Sequence, residues 1–382
     1  MDLPLDYGTL RIIWWGLLGV ILIGFALTDG FDMGVGALLP FVARSDRERR
    51  IAINTVGPVW EGNQVWLILG GGAIFAAFPL VYAVSFSGFY FAMFLALFAL
   101  ILRPVSIKYR SKRDNPHWRA MWDWGFFIGG AAPALIFGIA VGNALQGAPF
   151  RFDETLRLTY TGNFWALLNP FALLCGMTSL ALLTLHGAAW LGLKADGPVR
   201  TRARAAGLIA APLAALFFIV GGVWIAQSGM GYAIVGAVDP STPSNPHMFT
   251  VSLSPGAWLA NYARYPWMIA APALGLLGAL AAFFGLLIRN EPLAFAGSSA
   301  SAAGVIASVG ASLYPFILPS SLDPGSSLTA WSASSSHLTL FVMLIVTLVL
   351  LPIVLGYTAW AFKVMWGRVR AEDIDRDSHA VY

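Results

Sequence analysis

The chain has 382 residues, of which 58% are hydrophobic and 11% charged, where a soluble protein carries about 25% charge. With a mean hydropathy of +0.72, this excludes a soluble globular enzyme and defines a polytopic membrane protein. The formal charge of +4 comes mostly from basic segments between apolar runs. None is interleaved with exposed aromatics, so the charge speaks for orientation and not for nucleic acid.

The pattern predicts an all-α integral membrane protein with nine spanning helices, at about 12–41, 51–76, 79–103, 122–145, 163–193, 203–228, 258–288, 291–318 and 336–366. The start is acidic (Asp2, Asp6) and lacks a short apolar core with a cleavage site, so no cleavable signal is expected. The first helix contains Thr28-Asp29-Gly30-Phe31-Asp32-Met33-Gly34, and the second Trp60-Glu61-Gly62-Asn63-Gln64-Val65-Trp66. At ~1.5 Å per residue Asp29 lies about 18 Å from one end of its helix, and Glu61 about 15 Å from the same side. An antiparallel hairpin then brings the two acids to similar depth. An ionisable group there costs at least ~2.5 kcal/mol and requires water, a partner or a function.

Asp29 and Asp32 share a helix face, as do Glu61 and Gln64. One reading is a hydrated proton path, with Thr28, Asn63 and Gln64 ordering water. The competing reading is a polar clamp between helices, or ion pairs to Arg103 at the end of the third helix. Gly30, Gly34 and Gly36, with Gly70, Gly71 and Gly72, make small-residue faces suited to close helix packing. Asp123, between Trp122 and Trp124, is read as a cap of the fourth helix.

His186, in the fifth helix, is the only one of five histidines well inside a predicted span; His117, His247, His337 and His379 lie in loops, at a helix start or in the tail. A membrane haem needs His or Met ligands from facing helices at matched depth, and no such His pair can be assembled. Ligation by one of the ten Met stays open as the lesser alternative, but haem held by this chain is not expected, and no metal site either. The single Cys175 sits in an apolar run, which rules out a disulfide within one chain.

The first, third and fifth loops are basic (Arg44, Arg47, Arg49, Arg50; Lys108, Arg110, Lys112, Arg113, Arg119; Lys194, Arg200, Arg202, Arg204), as is the C-terminal side (Lys363, Arg368, Arg370). The positive-inside rule then places the N-terminus outside and the C-terminus in the cytoplasm. The stretch from Gly229 to Gly256 and that from Pro319 to Ser335 read as external turns, and the tail from Arg370 to Asp377 as solvated. The helices group as two similar four-helix units, with the ninth as an appendage.

The runs GFALTDGFDMGVG, WEGNQVW, FSGFYFAM, RPVSIKYRSK, WDWGFFIG, YTGNFWALLNPF and LTLFVM, with the EDI tail, resemble subunit II of the bacterial cytochrome bd quinol oxidases over nearly the whole chain. That resemblance implies a non-haem-ligating subunit in the bacterial inner membrane. Its partner, subunit I, carries haems b and d, and the complex reduces oxygen to water with electrons from quinol. Protons enter from the cytoplasm, so the complex is electrogenic. A bound quinone and small single-helix accessory subunits are also implied. Carried over residue by residue, the proton-path positions are Asp29, Asp32 and Glu61, the last being Asp in many relatives, and the arginine of the RPV run is Arg103. Ser332 stands where relatives often carry Asp, so that loop receives no proton role. Trp66 and the small residues near it are the candidate oxygen route. The rival functions are a proton-coupled secondary transporter, for which the second half of the chain lacks a matching acidic pair, and a purely structural assembly partner.

Overall fold

The computed structural model describes residues 3–376, so His379 and the last residues of the tail lie outside it. The helices are α1 (Tyr7–Val42), α2 (Asp46–Val56), α3 (Trp60–Ala77), α4 (Pro79–Gly88), α5 (Tyr90–Tyr109), α6 (Pro116–Gln146), α7 (Pro170–Lys194), α8 (Gly197–Ser228), α9 (Ala257–Arg264), α10 (Ala270–Leu287), α11 (Glu291–Leu313), α12 (His337–Val364) and α13 (Ala371–Arg376). Three short antiparallel hairpins pair Phe150–Phe152 with Leu158–Tyr160, Tyr232–Val235 with Thr250–Leu253, and Phe316–Leu318 with Leu328–Thr329. Eight helices among the described residues are long and apolar enough to cross a membrane.

Local chemistry explains where the helices depart from the apolar runs. The predicted second helix is two: α2 starts early, on a Ser45–Glu48 capping box, and the chain breaks at Gly57-Pro58 before α3. Proline lacks the N–H that would continue the helix. The predicted third helix is likewise two, α4 and α5, parted at Phe89. In the predicted fifth, Asn169 caps α7 through the Ala172 N–H, and Pro170 occupies its first turn. The predicted seventh divides into α9, a 3-10 turn at Pro266–Ile269, and α10. In the predicted eighth, α11 stops at Leu313, ahead of Pro315 and a strand. Asp123 is no cap, since Asn115 holds that role by accepting from the His117 and Trp118 N–H groups.

Helix α1 runs through the centre, against α3, α6, α7, α11 and α12. α5 packs on α6; α7, α8, α10 and α11 form a second group. Glycine sets the closeness at the main crossing. A methyl group on Gly34 of α1 would overlap the Leu183 carbonyl oxygen of α7 and come within 2.8 Å of the Gly187 Cα. α12 stands apart with most of its surface exposed.

Ion pairs stitch the basic end of the bundle. Arg110, buried, donates from Nε to Asp123 Oδ1 at 2.5 Å and from Nη2 to Asp46 Oδ1 at 2.8 Å, and Arg49 reaches Asp123 Oδ2 at 2.7 Å. Arg202 meets Glu48 at 2.7 Å, and Arg200 pairs with Glu291. The tail, expected to be solvated, instead docks through buried Ile374 of α13 among α2 and its neighbours.

The opposite end holds Arg11, fully buried. Its Nε donates to Ser334 Oγ at 2.8 Å, Nη1 to the Pro240 carbonyl at 2.7 Å, and Nη2 to the Thr242 carbonyl at 2.9 Å and Ser244 Oγ at 2.8 Å. The Tyr7 ring lies 3.5 Å from the guanidinium carbon. One cation thus fastens the start of α1 to two loops far along the chain.

Candidate functional site

The site is a buried polar cluster where α1, α3 and α5 meet. Asp29 and Asp32 lie one turn apart on α1, and both are 0% exposed. Arg103 of α5 donates from Nη2 to Asp29 Oδ1 at 2.5 Å. Its approach depends on Gly129 of α6, where a Cβ would come 3.1 Å from the Arg103 Cβ. Asn63 of α3, also buried, donates from Nδ2 to Asp32 Oδ2 at 2.9 Å.

Two carboxyls and one guanidinium share this enclosure. If all were ionised, the cluster would carry one uncompensated negative charge in an apolar bundle, a cost of several kcal/mol. Among the described residues, Asp29 Oδ2, Asp32 Oδ1, and Arg103 Nε and Nη1 have no protein hydrogen-bond partner.

Glu61 stands elsewhere. The expectation of a buried acid, at a depth similar to Asp29, is corrected as to burial: its side chain is 67% exposed, in the first turn of α3, with Oε1 3.0 Å from Lys108 Nζ of α5. The break at Pro58 sets the phase of α3, so that Asn63, Trp66, Gly70 and Ala73 face inward while Glu61, Val65, Ile68 and Gly72 face outward. Gln64 is half-buried. The Thr28 hydroxyl donates to the Gly24 carbonyl of its own helix at 2.8 Å. Trp66 is buried against α1, over Gly24, where a Cβ would come 2.6 Å from the indole.

His186 is fully buried, with Nδ1 2.8 Å from Ser298 Oγ and Nε2 3.1 Å from the Leu27 carbonyl. The carbonyl only accepts, so Nε2 carries the proton and Nδ1 faces the serine hydroxyl. Both nitrogens are engaged, so the residue does not fit an axial haem ligand. Among the described residues, no cluster of three or more His, Cys, Asp or Glu offers a metal site. Arg11 and Lys108 were not singled out from sequence. Lys108 counts there only as one of the basic residues of the third loop, and Arg11 left its signal as a basic residue opening the first span at the end otherwise poor in Lys and Arg.

The fold and this cluster together define a polytopic helical membrane protein built around an enclosed acid–arginine pair. The model of the family "Cytochrome bd terminal oxidase subunit II" matches residues 10–365. The chain is 49% identical over 378 residues to the cytochrome bd-I ubiquinol oxidase subunit 2 of Escherichia coli K12, covering 99% of this chain and 100% of that one. The probable cytochrome oxidase subunit 2 of Haemophilus influenzae matches with the same identity and coverage. The cytochrome bd ubiquinol oxidase subunit 2 of Bacillus subtilis is 31% identical, over 94% of this chain and 97% of its own length. Among solved structures, the bd oxidase from Geobacillus thermodenitrificans shares the fold at a TM-score of 0.69 and 17% identity, with 94% of this chain and 98% of that one covered.

The chain belongs to the cytochrome bd terminal oxidase subunit II family. It is a subunit of an oxidoreductase complex, a respiratory terminal oxidase that contains haem, working with a subunit I as a multi-pass protein of the bacterial inner membrane.

Proposed function

We propose that this chain is the subunit of a quinol:oxygen oxidoreductase that ligates no haem, and that it helps carry protons to the oxygen-reducing site in its partner. The observation behind this reading is the enclosed Asp29–Arg103 and Asp32–Asn63 cluster with its partnerless polar atoms. A proton on one of the two carboxyls balances the charge. Arg103 fixes Asp29, which leaves Asp32, held by an amide alone, as the group free to release and regain that proton. Ordered water needs two to four polar partners, and Asp29 Oδ2, Asp32 Oδ1, Arg103 Nε and Nη1 provide them.

Glu61 enters as the outer station. A carboxylate on the exposed face of an apolar helix gains from a covering chain, and in this reading subunit I covers it. The basic end of the bundle lies in the cytoplasm, so protons enter there. The haems belong to subunit I; quinol is the electron donor, as the names of the E. coli and B. subtilis relatives indicate. A bound quinone, lipid and small accessory subunits complete the assembly.

A second reading, a structural clamp, is favoured by the close Asp29–Arg103 pair alone. One experiment separates the two. The purified complex carrying Asp32→Asn, a change inside the enclosed cluster, is measured for quinol-driven oxygen consumption and for its reduced-minus-oxidised spectrum. A rate at least about tenfold lower, equal to ~1.4 kcal/mol of barrier, with a normal spectrum supports proton delivery. A wild-type rate in a fully assembled complex refutes it, and loss of haem together with activity supports the clamp.

A further inference from the structure

A cavity of about 310 Å³ opens at the basic end, between α2, the start of α3, the end of α7 and the chain leaving α12. Its volume lies in the ~300–1,000 Å³ range of small-molecule sites. Lys194 lines it and is only 6% exposed. The Lys194 ammonium donates to the Met365 carbonyl at 2.7 Å and sits 5.6 Å from the Trp190 ring and 5.1 Å from the Trp366 ring. Among the described residues no carboxylate pairs with it, whereas Arg110, buried at the same end, pairs with both Asp46 and Asp123. Two of its three N–H donors remain beyond the Met365 carbonyl. Arg368, exposed on the rim, spends only a long 3.4 Å contact on the Leu193 carbonyl.

The described residues that line the cavity include two cations and no acid. Its apolar wall, with Phe362 and Val364, continues onto the exposed face of α12 at Tyr357 and Ile353. Paired indoles beside a cation mark the depth of the membrane–water interface. Basic pockets between transmembrane helices at that depth bind anionic lipid headgroups. We propose that this cavity binds the phosphate of an anionic phospholipid, with Lys194 and Arg368 as its ligands and the acyl chains lying along α12. The site is independent of the proton-path reading.

The test is native mass spectrometry of the delipidated oxidase complex titrated with phosphatidylglycerol or phosphatidylcholine. Phosphatidylglycerol is retained preferentially, and Lys194→Gln and Arg368→Gln each lower its retention about fivefold, the equivalent of ~1 kcal/mol per basic residue. Lys194→Arg keeps the charge and keeps the lipid. Oxygen consumption near the wild-type rate certifies that each variant is folded, and Arg368→Gln, at an exposed position, serves alone if Lys194→Gln fails to assemble. Equal retention of the two lipids, or unchanged retention in the double variant, overturns the proposal. So does displacement of the lipid by inorganic phosphate at equal concentration, which would make this a free-anion site. Cross-linking of position 194 to subunit I, or of the chain's own last residues into the cavity, would also overturn it.

Discussion

Asp29 and Arg103 meet at 2.5 Å inside the bundle, and neither side chain reaches the surface. Removing one partner of such a pair leaves a buried charge uncompensated, at a cost of ~3–5 kcal/mol. Arg103→Ala is therefore expected to abolish assembly or lower the melting temperature of the complex sharply. Asp29→Asn, which keeps a hydrogen-bond acceptor and removes the charge, should be milder. The Asp29→Asn/Arg103→Gln double variant should be more stable than Arg103→Ala. Thermal unfolding of the purified complexes decides the order.

Among the described residues, the Asn63 amide is the one hydrogen-bond partner of the Asp32 carboxyl. Asp32→Asn conserves shape and cannot exchange a proton. It is expected to cut oxygen consumption at least about tenfold while leaving the haem spectrum and melting temperature close to wild type. A normal rate would remove Asp32 from any proton path.

The crossing of α1 and α7 has no room for a side chain at Gly34. Gly34→Ala should destabilise by ~1–3 kcal/mol or more through forced separation of the helices. Gly72→Ala on α3 meets open space within 4 Å and is the neutral control in the isolated subunit. Expression level and melting temperature of the two variants give the comparison.

Orientation has its own check. Cysteines placed at Arg47, Arg113 and Arg200 should react with impermeant thiol reagents only in inside-out vesicles. Labelling of any of them from the outer face of intact cells would reverse the topology and move proton entry with it.

Glu48, at the basic end outside the spans, accepts from Arg202, which lowers its pKa below the ordinary 4.5, helped by the Arg44 and Ser45 N–H groups. A depressed carboxyl contributes stability that is complete above its ordinary value and is lost as pH falls through the lowered one. Wild type should therefore lose more melting temperature than Glu48→Gln as the pH is taken below about 4.5. Parallel curves for the two would dismiss the pair.

Much of this arrangement was readable from residue type alone. The long apolar runs give α1, α6, α8 and α12 to within several residues, and the acids of TDGFDMG, which cannot lie unpartnered in such a run, mark the interior cluster. The surroundings of Glu61 were not readable. Hydropathy cannot separate an inward face from a lipid- or partner-facing one when both are apolar, and the phase of α3 is set by the break at Pro58. The same three polar residues, Glu61, Asn63 and Gln64, keep α3 from counting among the eight apolar spans. Partners distant in sequence, such as Arg110 for Asp46 and Asp123, leave only a charge in the sequence. Their geometry comes from the tertiary fold.

The fastening of Arg11 to Pro240, Thr242, Ser244 and Ser334 has a consequence in time. A ribosome delivers Arg11 first and Ser334 more than three hundred residues later, at ~5–20 residues per second. For some tens of seconds the guanidinium has none of its final acceptors and must stay hydrated at the membrane surface. Trp14 waits as well, because its indole N–H donates to the Leu340 carbonyl at 2.9 Å. The helix inserted earliest is thus completed last: a nascent chain cut short before Pro240 carries a cation with none of its final acceptors at its leading edge, and one cut between Ser244 and Ser334 still lacks the acceptor of the Arg11 Nε, a mark by which unfinished subunits differ from finished ones.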